Sequence, residues 1–268
     1  MTQTSGEVQS QRSPRPRIDF LGTPVDYLSM EEVVARIQDF IASQSPHLVV
    51  ACNVPKLWRM NRDARLKRLV ESADMILPER IVFLSSRLCG NPLKAYIGND
   101  RLTQAFLPVA AQRRYRVYFL GTRRSSLDRM LARLREEHPG LVVAGCHHGF
   151  FDEREAEEVA ERIRRSQADV LFVGMGTPRQ EYWMDSYGRE LGVSVVIGVG
   201  GTLDVLAGLK RECPDWIRVL GMEWIYRAVE APRDKLTRYS MALPWFVSAL
   251  LVKGLIPRWL GSHNVAEN

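Results

Sequence analysis

Val170-Leu171-Phe172-Val173-Gly174-Met175-Gly176-Thr177-Pro178-Arg179-Gln180-Glu181 sets an unbroken apolar run against a glycine turn and then a helix start. An unbroken run, rather than an alternating one, suits a strand of a parallel sheet covered on both faces. Thr177 can cap the helix, Pro178 fits its first position and Glu181 adds acidic capping chemistry in the first turn. The same segment admits a second reading. N–H groups at such a helix end attract anions, and Arg179 and Gln180 offer side-chain donors beside them.

The pattern repeats further along. Val193 to Val199 is again apolar, and Gly198-Val199-Gly200-Gly201-Thr202-Leu203-Asp204 follows, with Ala207-Gly208 and Lys210-Arg211 beyond. At Gly200 and Gly201 the missing side chains let the backbone approach phosphate or ribose closely. Asp204 then either holds a sugar hydroxyl or caps a tight strand-to-helix turn. Ligands of open α/β sheets collect beyond the carboxyl ends of the strands, so the two loops are expected to share one pocket.

Other segments fit the same architecture. Ser29-Met30-Glu31-Glu32 is a capping box opening a helix to about Ala42, and His47 to Ala51 reads as a strand. A helix over Lys56 to Val70, a short strand Met75-Ile76-Leu77 ending in Pro78-Glu79-Arg80, and a helix over Asp100 to Arg113 complete a first α/β series. The second series begins at Val117 to Gly121 and alternates through helix Ser125 to His138, strand Leu141 to Gly145, helix Asp152 to Arg165 and strand Asp169 to Gly174. Alternation of this kind predicts an α/β fold with a Rossmann-like parallel sheet. No Gly-x-Gly-x-x-Gly follows any strand, which argues against a nicotinamide dehydrogenase. The expected division is a leader over 1–17, an α/β domain over 18–212 with subdomains of about 18–113 and 114–212, and a helical appendage over 213–268.

Composition bounds the partners. The chain has 268 residues, 46% hydrophobic and 25% charged, with a net charge of +6. These are ordinary globular values, and the basic excess permits an anionic partner without selecting one. Cys52, Cys89, Cys146 and Cys213 have no paired spacing, so neither a zinc site nor a disulfide framework is expected, and a reducing cytosol fits. The segment through Arg17 is rich in Ser, Gln, Pro and Arg and lacks the apolar core of a signal peptide, so it reads as a disordered leader. No nucleic-acid motif or dense basic helix is present, so nucleic acid is not an expected partner. Beyond Pro214 the chain interleaves Trp216, Trp224, Trp245 and Trp259 with basic residues, and Met241 to Val252 is mostly apolar. That run is too short for a spanning helix and contains Pro244; it suits either a helix lying in a membrane interface or one packed on the core.

The ordered set of motifs resembles the WecG/TagA/CpsF family of bacterial glycosyltransferases. It comprises Ser72 to Pro78, Gly98-Asn99-Asp100, His147-His148-Gly149-Phe150-Phe151, Thr177 to Glu181, Gly198 to Asp204 and Gly221-Met222-Glu223-Trp224-Ile225-Tyr226-Arg227. The resemblance implies inverting transfer from a UDP-sugar to an undecaprenyl-diphosphate-linked saccharide, without a cofactor or essential metal, by a cytoplasmic enzyme peripherally bound to the inner face of the membrane. The sequence has no Asp-x-Asp for a diphosphate-bound cation. The departing UDP would then depend on helix ends, backbone N–H groups and arginines.

Two positions depart from the family pattern. Ala51-Cys52-Asn53-Val54 stands where relatives carry Thr-x-Asn, and Pro78-Glu79-Arg80 where they carry Pro-Asp-Gly with the aspartate as general base. By resemblance Glu79 becomes the base, and its other reading is a glutamate pairing with Arg80 at a helix start. Asn53 holds substrate hydroxyls or is a turn asparagine. Asp100 is an acceptor contact or the cap of its helix. His147 and His148, adjacent on a strand end and so expected to point to opposite sides, read as structural. Arg211, Arg227, Arg233 and Arg238 match the region that grips the lipid diphosphate, with Asp234 where a second basic residue often follows. A second functional reading, motivated by the two departures, is a family member that binds UDP-sugar or a partner enzyme without turnover. Sequence leaves the oligomeric state open.

Overall fold

The computed structural model describes residues 16–209, 217 and 232–255, with the backbone alone for 232–239 and 253–255. Arg17–Phe20 (β1) and Thr23–Asp26 (β2) form an antiparallel hairpin that turns at Leu21-Gly22. There follow α1 (Met30–Ala42), β3 (His47–Cys52), α2 (Val54–Met60), α3 (Ala64–Glu71), β4 (Met75–Pro78), α4 (Arg80–Leu88) and α5 (Asn99–Arg113). The second series is β5 (Arg116–Gly121), α6 (Arg124–Glu137), β6 (Val142–His147), α7 (Glu153–Ser166), β7 (Val170–Gly174), α8 (Arg179–Tyr187), β8 (Val195–Gly198) and α9 (Thr202–Leu206). A last helix, α10 (Pro232–Ala249), runs on into a π-helical turn at Leu250–Leu255.

The predicted parallel α/β architecture is present. Six strands in the order β4-β3-β8-β7-β5-β6 make one sheet, and every neighbouring pair in it is parallel. The boundary read near residue 113 falls between α5 and β5, yet β3 and β8 pair across it, so strands of both series share that sheet. Alternate strand residues feed two cores. Leu48, Val50, Leu171 and Val173 meet α2, α3, α7 and α8 on one face, whereas Val49, Val170, Phe172 and Ile197 meet α1, α5, α6 and α9 on the other.

This partition positions the site. Helices following β3 and β7 pack on the first face, and those following β5 and β8 pack on the second. Because adjacent strands send their chains to opposite faces, their loops part and leave a crevice along the carboxyl ends. The strand ends also approach closely. A Cβ on Gly121 would lie 2.4 Å from the carbonyl oxygen of Gly174.

Several expectations need correction. The helix read over Lys56 to Val70 is two helices, because Asn61 ends α2 and the Asp63 side chain caps α3 by accepting the N–H of Leu66 at 3.0 Å. Gly98, not Asp100, is the N-cap of α5; Asp100 lies buried in its first turn, where one carboxylate oxygen accepts the Arg101 N–H at 2.9 Å. Pro178 is the N-cap of α8 rather than its first residue, and Thr177 does not cap it. The rings of His147 and His148 do not point apart: their centroids are 4.4 Å from each other.

Candidate active site

Asn53 ends β3 and caps α2 by accepting the Lys56 N–H at 2.9 Å with its carbonyl oxygen. Its amide nitrogen is thereby turned outward and donates to Glu79 Oε1 at 3.0 Å. Glu79, at the end of β4, is half-buried, is the N-cap of α4 without a side-chain cap bond, and is tied to β3 by its own N–H on the Cys52 carbonyl at 3.0 Å. The two expected catalytic residues therefore meet across neighbouring strand ends. Between them the Cys52 thiol is an unreactive part of the core, its pKa pushed up to about 12 chiefly by burial, with the Lys56 charge opposing and Glu79 adding.

A second cluster braces the crevice from beneath. Gln180, almost fully buried, accepts the Gly200 N–H at 3.0 Å with its carbonyl oxygen and donates its amide N–H to Glu181 Oε1 at 2.8 Å. That oxygen also accepts from Thr177 Oγ1 at 3.1 Å and takes Lys56 Nζ at 2.8 Å. Lys56 is 1% and Glu181 0% exposed. Burial alone would raise the glutamate pKa; the adjacent Lys56 charge and these hydrogen bonds reverse that and hold it below the ordinary value. Glu181 Oε2 has no hydrogen-bond partner among the described residues. The ion pair ties the end of β3 to that of β7, spanning β8 between them.

The third element lies where the loops after β5 and β8 meet. Thr122 Oγ1 donates to Asp204 Oδ1, while its backbone N–H reaches the Gly174 carbonyl at 3.2 Å. The Thr122 carbonyl in turn accepts the Gly149 N–H at 2.9 Å, joining the His147–Phe151 loop. Arg179 is turned to that loop, its guanidinium donating to the Phe151 carbonyl and standing 5.1 Å from the ring. Gly200 has φ +57° and open space where a Cβ would be, so the crevice reaches its backbone although its N–H is already used. Gly201 is the N-cap of α9.

The structure thus brings together Asn53 with Glu79, Thr177 with Gln180 and Gly200, and Asp204 with the end of β5. Asp100 stands near the end of β4, since Ile97, two residues before α5, donates its N–H to the Pro78 carbonyl at 3.0 Å. Arg211 and Arg227 lie outside the described residues, as do residues 1–15 and the Gly221–Arg227 motif, and only the backbone of Arg233 and Arg238 is described, within α10. Sequence reading overlooked Lys56 and Thr122. Lys56 carries no local signal for burial, and only its place one turn after Asn53 hints at a role. Among the described residues no three of His, Cys, Asp and Glu gather so as to hold a metal ion.

A family model described as "Glycosyl transferase WecG/TagA/CpsF family" matches residues 18–259. The chain is 28% identical over 243 residues to an N-acetylglucosaminyldiphosphoundecaprenol N-acetyl-beta-D-mannosaminyltransferase of Bacillus spizizenii, covering 90% of this chain and 91% of the relative. It is 31% identical over 223 residues to the Staphylococcus aureus protein of the same name, covering 82% and 87%.

Proposed function

Because the chain belongs to the WecG/TagA/CpsF family of glycosyl transferases, we propose that it is an inverting transferase moving an N-acetylhexosamine or hexose from a UDP-sugar to an undecaprenyl-diphosphate-linked saccharide in surface polysaccharide synthesis. The observation that carries this reading is the contact of Asn53 with Glu79 at the mouth of the crevice. The change from aspartate to glutamate keeps a carboxylate there, and Asn53 orients it. In the proposed step the acceptor hydroxyl oxygen attacks the anomeric carbon, the bond to UDP breaks with its electron pair on the phosphate, and the hydroxyl proton passes to Glu79.

The Asp204 loop takes the ribose and the glycine loops flank the diphosphate. Charge on the leaving group is met by donors fixed before reaction, without a metal. Arg211, Arg227, Arg233 and Arg238 complete the site on the lipid diphosphate, at the cytoplasmic face of the membrane.

The test is a transfer assay with UDP-N-acetylmannosamine, UDP-N-acetylglucosamine and UDP-glucose against a short-chain lipid-diphosphate N-acetylglucosamine, with and without EDTA. Glu79→Gln is expected to lower kcat by about 10²-fold or more while leaving UDP affinity unchanged. Asp204→Ala is expected to lose UDP binding in titration calorimetry. Undiminished transfer by Glu79→Gln removes Glu79 as base; UDP-sugar binding without transfer by the wild type makes the protein a binder.

A further inference from the structure

Beside Glu79, at the open edge of the sheet, two arginines share one aromatic ring. Arg80 opens α4, and its guanidinium stands 5.0 Å from the centre of the Tyr96 ring; Arg101, exposed in the first turn of α5, stands 6.0 Å from the same ring. The ring is held at this strand end. The neighbouring Ile97 N–H is bonded to Pro78, and the Tyr96 hydroxyl and Asp100 Oδ1 crowd Gly98 so closely that a Cβ there would lie 2.3 and 2.9 Å from them.

A guanidinium held over an aromatic ring gives up none of its N–H donors to that contact, and its planar fork matches the paired oxygens of a carboxylate or phosphate. The Nε–H of Arg80 is buried without an acceptor among the described residues. Neither guanidinium is ion-paired with a carboxylate among the described residues. A buried donor of this kind is costly to leave unmet, so a ligand oxyanion at this place would satisfy what the protein does not.

We infer that Arg80, supported by Tyr96 and Arg101, forms an oxyanion-binding subsite beside Glu79 that engages an anionic group of one substrate. This rests on the transferase reading, in which Glu79 meets the acceptor hydroxyl at the anomeric carbon. In an inverting displacement the base stands on the face opposite the departing UDP diphosphate, so any oxyanion within reach of Arg80 belongs to the acceptor or to the transferred sugar. Two sources carry that chemistry: the acceptor's diphosphate, and a carboxylate on a hexuronic-acid-type donor sugar. A glycine after the base, as in Pro-Asp-Gly, offers no side chain for either.

Titration calorimetry of the full chain and of Arg80→Gln separates the sources. The probes are UDP, UDP-glucose, UDP-glucuronate, butyl-diphosphate N-acetylglucosamine and the uncharged butyl N-acetylglucosaminide. Arg80→Gln is expected to bind UDP and UDP-glucose like the wild type, which also shows it folded, and to lose about tenfold or more for one anionic probe. Loss on the diphosphate probe, with none on the uncharged glycoside, assigns the acceptor; loss on UDP-glucuronate assigns the donor. Arg80→Lys should recover part of the loss and Arg101→Gln show a smaller one. Equal affinity of wild type and Arg80→Gln for both anionic probes, or wild-type binding of neither, overturns the subsite. A wild type that ignores UDP defeats the donor reading instead, while the acceptor probe still reports on Arg80.

Discussion

Asn53 has each end of its amide committed, the oxygen to α2 and the nitrogen to Glu79. Asn53→Asp keeps the cap but puts a second carboxylate about 3 Å from the first, and two like charges so close raise one pKa. The acid limb of the kcat/KM profile should therefore move to higher pH in Asn53→Asp, and by less in Asn53→Ala, which only removes a hydrogen bond to the carboxylate; limbs coincident with the wild type in both variants would remove the contact from catalysis. Lys56 and Glu181 pose a different question, since a buried ion pair spends most of its attraction on desolvation. Lys56→Met or Glu181→Leu alone should cost about 3–5 kcal/mol in urea unfolding, and the double variant markedly less than their sum. The sign with pH follows from the lowered Glu181 pKa. An unfolded chain takes up the proton first, so this stability is complete above about pH 4.3 and is lost as pH falls through the folded value. In Lys56→Met burial is no longer opposed by the ammonium charge, the folded value rises toward or past the unfolded one, and this acid-side loss should shrink or reverse. Asn53, Glu79, Gln180 and Asp204 were legible because each follows an apolar run that had to be a strand. Lys56 and Thr122 were not, since Glu181 and Asp204, which give them their roles, are remote in the chain.

Asp63 joins two elements. It caps α3 and accepts the Tyr182 hydroxyl of α8, the helix that carries Gln180 and Glu181. Arg65, one turn of chemistry away, lies 4.9 Å from the Tyr182 ring and pairs with Asp185 at 3.2 Å. Asp63→Ala should destabilise the protein by about 1 kcal/mol, whereas Asp63→Asn, which can still cap, should lose only a fraction of that. Equal losses in denaturant melts would show that the charge, not the cap, matters. This junction was hidden in the sequence. The apolar positions Leu57, Met60, Leu66, Leu69 and Val70 continue a helical rhythm through it, and the break is written only in the capping chemistry of Asn61 and Asp63. The strands of the parallel sheet were legible because burial on both faces leaves uninterrupted apolar runs. The β1–β2 hairpin was not: its short strands mix Arg17, Asp19 and Asp26 with apolar residues, and buried Asp26, paired with Arg17 across the hairpin at 3.3 Å, also accepts the Ile76 N–H at 2.7 Å, far along the chain.

For the whole molecule, alternation along the chain made a parallel sheet foreseeable, but not that β8 would come between β3 and β7, an order fixed by contacts distant in sequence. The attachment of α10 is of the same kind. It seats Ala242 and Phe246 in the core of the first face, with Phe246 6.3 Å from Phe20 and polar pairing playing no part in that contact. No helix among the described residues is long and apolar enough to cross a membrane. Yet Met241, Val247, Leu251 and Val252 are exposed along α10 and the turn that follows it, Met241 and Val252 by 63% and 61%. Each such side chain, if buried in an interface, contributes at most about 1.5–3 kcal/mol, so a few suffice for reversible attachment. We predict that Met241→Ser, Val247→Ser and Val252→Ser together reduce sedimentation with anionic vesicles by about tenfold or more without lowering the melting temperature. Phe246→Ala should instead lower stability, because it opens a space in the core. If the triple serine variant sediments as well as the wild type, these side chains serve something other than lipid, and the basic residues beyond Leu209 must carry any attachment alone.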